Sequence, residues 1–116
     1  MSNGSEMNIG SVASLGLRID RLEDIQGLLG AMYGLDGLIL SEAELGPEFF
    51  RLSSGVAGEL FQKFVNYRFP VAVVIADFSA HGERFAELAH EHSRHGGVRF
   101  VHTDEEARRW LESKAA

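Results

Sequence analysis

The stretch Phe49–Ser79, FFRLSSGVAGELFQKFVNYRFPVAVVIADFS, decides the fold. Its first half spaces Val56, Leu60, Phe61, Phe64 and Val65 along one helical stripe, while Glu59 and Lys63 stand an i,i+4 step apart outside it. An amphipathic helix is therefore expected from about Ser53 to Tyr67, and Pro70 stops it because proline has no N–H to continue the ladder. Val71 to Ala76 then runs without a polar break and is rich in β-branched residues, the pattern of a central strand covered on both faces. A helix feeding directly into such a strand, which ends in Asp77, is one α/β unit.

The flanking sequence repeats that unit. Upstream, Gly37–Leu40 is a short apolar strand, followed by an acidic loop over Ser41–Phe50 that contains Gly46-Pro47. Asp20 with Glu23 resembles a capping box, opening a helix whose Leu22, Ile25, Leu28, Leu29 and Met32 share a face. Gly27 and Gly30 each cost that helix about 1 kcal/mol relative to alanine, which a close approach to the sheet would explain. Alternation of Leu15, Leu17 and Ile19 points to one or two edge strands within Met7–Ile19. Downstream, Phe85, Leu88, Ala89 and His92 mark a helix from about Gly82 to His95, ended by a left-handed cap at Gly96-Gly97. Val98–His102 is the last strand, and Thr103 with Glu106 is a second capping box, opening a terminal helix that buries Ala107, Trp110 and Leu111. The fold class is thus α/β: a single domain over residues 1–116 with a mostly parallel four- to five-stranded sheet, about four helices, and a disordered start over residues 1–6.

Composition narrows the function. A chain of 116 residues with 45% hydrophobic content supports one core, burying roughly two-thirds of the surface its unfolded form would expose. The formal net charge of -6, with only Lys63 and Lys114 as lysines, argues against nucleic acid or an anionic membrane as partner. No cysteine is present, so disulfides, thiolate catalysis and Cys-ligated zinc drop out. The opening MSNGSEMNIG has neither a basic run nor an apolar one, and no apolar run is long enough to span a bilayer, so a cytoplasmic protein is expected.

Parallel sheets gather strand C-termini and helix N-termini on one edge, where free N–H groups favour ligands. Delivered there are Ser41, Glu42 and Glu44, then Asp77 and Ser79, then His102 and Thr103, with Ser53-Ser54-Gly55 at a helix start. One of Ser53 and Ser54 is expected either to cap that helix or, exposed, to accept a phosphate that the helix dipole tolerates. Asp77 is either a loop acceptor or a general base or cation ligand partnered by Glu42, His81 or His102. Of the close histidines His90, His92 and His95, only the last two share a helical face, too few for a metal, and His95 reads as a solvated helix end. Of Phe49 and Phe50, one ring is expected to be buried, and Phe49 is taken as a partner-contact candidate. No catalytic residue, metal or cofactor is assigned.

Glu48-Phe49-Phe50, Leu52, Gly55-Val56-Ala57-Gly58-Glu59, Gln62-Lys63-Phe64, Asn66-Tyr67 and Asp77-Phe78-Ser79 together resemble a bacterial family, domain-of-unknown-function family 4180, over most of Leu22–Leu111. The chain departs from that pattern at Arg51, Ala76 and His81-Gly82. A more distant likeness is to the STAS-like domains of anti-sigma factor antagonists, which carry a Ser-Ser-Gly run at the start of the helix after a central strand. That resemblance implies that Ser54 matches the position a partner kinase phosphorylates, although Leu52 stands where an acid is usual. The expected function is a cytoplasmic regulatory or protein-interaction module that binds another protein or a second copy of itself and is switched by phosphorylation at a helix N-terminus. The alternative is a small-ligand-binding protein or modest hydrolase using Glu42, Asp77, Ser79, His81 and His102 at the sheet edge.

Overall fold

Four parallel strands lie side by side in chain order, and that order fixes the face on which the three crossover helices pack. The computed structural model describes residues 8–114, which leaves the expected disorder of residues 1–6 outside the described residues. Strands β1 (Ile9–Ser11), β2 (Gly37–Ser41), β3 (Val71–Val74) and β4 (Val98–Val101) form one sheet in the order β1-β2-β3-β4. Leu38 pairs with Val71, and Val71 with Val98. Crossovers of one hand that always step to the next strand place their helices on a single face. Helices α1 (Leu22–Ala31), α3 (Val56–Asn66) and α4 (Glu83–Glu91) pack there, together with the single turn α2 (Pro47–Phe50). Helix α5 (Asp104–Ser113) crosses to the other face, over β2, β3 and β4.

Period-2 alternation divides the strand side chains between two cores. Leu38, Leu40, Val71, Val73, Val98 and Phe100 meet the three-helix layer, where Phe49, Leu60, Phe64 and Phe85 are buried. Ile39 and Ala72 point the opposite way, onto Ala107 and Leu111 of α5. Burial on both faces is why Val71–Val74 reads as continuously apolar rather than alternating.

Strand β4 is an open edge of the sheet, and its own chain closes it. The outward N–H groups of Val98 and Phe100 donate to His95 Nδ1 and His92 O, each at 3.1 Å, and that of His102 donates to Glu106 Oε1 at 2.9 Å. His95 Nδ1 also accepts from Gly97 N–H at 3.0 Å. His95 is therefore a backbone acceptor in a loop, not a solvated helix end. Helix α4 stops at Glu91, and neither Gly96 nor Gly97 has a positive φ, so the expected left-handed cap there does not form.

Other local expectations shift for physical reasons. Among the described residues the N-terminal segment supplies only β1 and an isolated bridge from Ile19 to Leu45, because residues 12–16 turn back on themselves. At α1 the carboxylate that takes the orphan N–H groups is Asp24, accepting from Asp20 and Arg21 at 2.9 Å each, in place of the Asp20–Glu23 pair. Gly27 and Gly30 face open space, so no close approach accounts for them, and Leu22 is exposed at that helix's start. The capping box of Thr103 and Glu106 is present as expected at α5.

Candidate functional site

The C-terminal ends of β2, β3 and β4 converge on the backbone of Ala76. Glu42, just past β2, accepts the Ala76 N–H on Oε1 at 3.4 Å and lies 2.5 Å from His81 Nε2 through Oε2. His102, just past β4, has Nδ1 at 3.1 Å from both Ile75 O and Ala76 O. Two carbonyls facing Nδ1 require the proton there, which leaves Nε2 as the basic nitrogen. One peptide segment thus joins two polar clusters that start from different strands.

Aromatic rings hold both imidazoles. His81 stacks on Phe50 with ring centroids 3.7 Å apart and planes 8° from parallel, and meets Phe85 edge-on at 5.6 Å. His102 stacks on Phe78 at 4.2 Å. His81 is 22% exposed and Glu42 37%, so their pair is partly withdrawn from water. Such a pair can hold and pass a proton, but among the described residues no hydroxyl hydrogen-bonds to His81, so a nucleophile is not engaged.

Asp77 behaves as a turn acceptor. Its Oδ1 takes the Ser79 hydroxyl at 2.7 Å and the Ser79 N–H at 3.0 Å, capping the 3-10 turn Phe78–His81. These two bonds, the hydroxyl first, with nearby His102 and His81, hold its carboxyl below the usual carboxylate range. Ser79 is thereby committed to Asp77.

The serine pair separates cleanly. Ser54 Oγ donates to Glu48 O at 2.5 Å and accepts from Val56 N–H at 3.3 Å, and the residue is half-buried. Neither serine is the helix cap. That position is Gly55, at φ 85°, a left-handed conformation that glycine adopts without Cβ strain. Ser53 is exposed on the 3-10 turn Leu52–Ser54. It borders a groove of about 450 Å³ with Phe50, Arg51, His81, Arg84 and Phe85. Arg51 pairs with Glu48, whereas Arg84 has no carboxylate partner among the described residues.

Phe49 is fully buried against Phe50, Phe61 and Phe85, so it is a core residue and not a partner contact. Phe50 is the half-exposed ring of the pair. Arg84 and Phe50 are groove residues that the sequence did not single out. Arg84 lies in the first turn of α4, outside the strand ends, and adjacency in sequence does not tell which of two phenylalanines faces out. Trp110 is half-buried, with the Arg99 guanidinium 5.0 Å and Lys114 Nζ 5.4 Å from its ring.

Among the described residues, no three of His, Asp or Glu are grouped to hold a metal ion, and no helix is long and apolar enough to cross a membrane. A family model described as a domain of unknown function (DUF4180) matches residues 5–111. No curated protein and no solved structure matches the chain.

Proposed function

The chain belongs to the DUF4180 family, and we propose that it is a cytoplasmic regulatory module that binds another protein, or a second copy of itself, through the groove beside the Leu52–Ser54 turn. Phosphorylation of Ser53 is the switch. The observation that carries this reading is the division of labour in the serine pair: Ser54 is tied to Glu48, and only Ser53 offers an exposed hydroxyl. A phosphate there adds about -1.5 to -2 charge to a groove lined by Arg51, Arg84 and Glu83, where Arg84, unpaired among the described residues, is the cation open to a new charge-assisted hydrogen bond. The likeness to STAS-like anti-sigma factor antagonists supports the reading, since the Ser-Ser-Gly run precedes the helix that follows the central strand β2. The likeness by itself points to Ser54; the bond from Ser54 to Glu48 is the reason the switch is assigned to Ser53 here.

The experiment compares partner binding by the full chain carrying Ser53→Asp and Ser53→Ala, using native mass spectrometry to identify what co-purifies, the chain's own dimer included. A difference of about tenfold in complex affinity between the two variants is expected. Equal affinities would overturn the proposal.

One observation favours a second reading, a small-ligand site or hydrolase: the 2.5 Å contact between Glu42 and His81 at the sheet edge. Under it, a ligand raises the unfolding temperature of the chain, and Glu42→Gln abolishes that rise while Ser53→Ala keeps it.

A further inference from the structure

At the opposite end of the sheet, where β3 and β4 begin, a cleft of about 330 Å³ is lined by Val65, Arg68, Pro70, His95, Gly96-Gly97 and Lys114. No lining residue is acidic, although the chain carries a net charge of -6. Neither Arg68 nor Lys114 has a carboxylate partner among the described residues. Lys114 Nζ lies 3.9 Å from where a Cβ on Gly96 would stand, so the ammonium closes over the glycine loop.

Arg68 occupies a backbone position that does not suit it. Phe69 N–H donates to Phe64 O at 3.0 Å and Arg68 N–H to Val65 O at 3.1 Å, and the rings of Phe64 and Phe69 lie 5.8 Å apart. This is a Schellman ending of α3, with its hydrophobic contact, and the residue just past the helix must be left-handed. Glycine is the usual occupant, yet Arg68 sits there at φ 56°, the only non-glycine residue with positive φ among those described. Such strain persists where the surrounding structure over-determines it, and it clusters at ligand sites.

We infer that this cleft binds a small phosphate monoester, the phosphate held by Arg68 and Lys114 and the carbon skeleton laid against Val65 and Pro70. His95 completes the polar wall. Because its Nδ1 accepts two backbone N–H groups, its proton resides on Nε2, so it offers a neutral donor beside two permanent cations. Desolvation, then His92, Arg99 and Lys114, keep it in that neutral state. Arg68 and Lys114, each close behind a helix, also offset the negative poles of α3 and α5. A charge serving only that purpose would not respond to phosphate differently from chloride.

The test is thermal unfolding of the full chain with inorganic phosphate and with ribose 5-phosphate, each against potassium chloride at equal ionic strength. Both phosphates should raise the unfolding temperature by a few degrees at about tenfold excess over Kd, with chloride inert. Arg68→Gly should raise the unfolding temperature of the free protein, by relieving the left-handed strain, and at the same time abolish the phosphate-induced rise. Lys114→Ala should abolish that rise too. A chloride effect equal to that of phosphate, or a phosphate effect surviving Arg68→Gly, would overturn the inference.

Discussion

Ser54 Oγ donates a hydrogen bond to the Glu48 carbonyl at 2.5 Å, across six residues, and so fastens the turn before α3 to the helical turn α2. The bond anchors one serine and frees its neighbour. Ser54→Ala leaves the Glu48 carbonyl without its donor and the Val56 N–H without its acceptor, at a cost of about 1–2 kcal/mol. Ser53→Ala, at an exposed site, should fall within about 0.5 kcal/mol of the parent. Urea midpoints of the two variants check this directly, and a reversed order would contradict the assignment.

The two phenylalanines should separate in the same way. Phe49→Ala empties a fully buried site among three other rings and is expected to cost about 3–5 kcal/mol, a large share of the stability of a domain this size. Phe50→Ala should cost less and loosen His81, whose imidazole loses its stacking partner. Chemical denaturation measures the first effect, and the histidine NMR resonances report the second.

Acid should weaken the β4 edge through His95. Its folded pKa lies below the ordinary value of 6.5, so the unfolded state binds the proton more readily. The stability it contributes is complete above about 6.5 and is lost as pH falls through that value toward the lowered folded pKa. The groups facing it are His92, Arg99 and Lys114, all of which disfavour a further positive charge. Urea midpoints measured from pH 8 to pH 5 should decline in the parent. In His95→Asn, whose amide oxygen can accept the same N–H groups without titrating, the decline should be shallower. Parallel curves would show that His95 does not cause the decline.

Helix α5 begins on a reciprocal cap. Thr103 Oγ1 accepts the Glu106 N–H at 3.1 Å, while Glu106 Oε1 accepts the N–H groups of His102 at 2.9 Å and Thr103 at 3.1 Å. Thr103→Ala should cost about 1 kcal/mol in unfolding free energy. The same backbone bonds, that from His102 first, lower the pKa of Glu106. Its contribution is therefore present above the ordinary carboxylate value of 4.5 and lost as pH falls through the lowered one.

Much of the fold was legible because burial imposes a period. The α3 stripe apart from Val65, which is exposed, the apolar run before Asp77 and the Thr103–Glu106 spacing each follow from which side chains must leave water, and the helix–strand alternation then dictates a parallel sheet. The site was legible only as a set of strand-end residues. Glu42 and His81 are 39 positions apart, and no local pattern says that their side chains meet. Ser53 and Ser54 are chemically identical neighbours, divided by the bond that ties Ser54 back to Glu48. Arg68 hides a helix ending because the usual signal is glycine. His95 looked like a helix-end histidine since Gly96-Gly97 imitates a cap, whereas its real work is to accept the N–H groups of the loop that follows.

The regulatory reading requires phosphate on Ser53 and not on Ser54. Intact-mass analysis of the chain purified from the cells that make it, followed by fragment mapping, decides between the two serines. The prediction is a single phosphoryl adduct on Ser53 that phosphatase removes, that disappears in Ser53→Ala and that persists in Ser54→Ala. An unmodified chain, or an adduct that maps to Ser54 and survives Ser53→Ala, would contradict it.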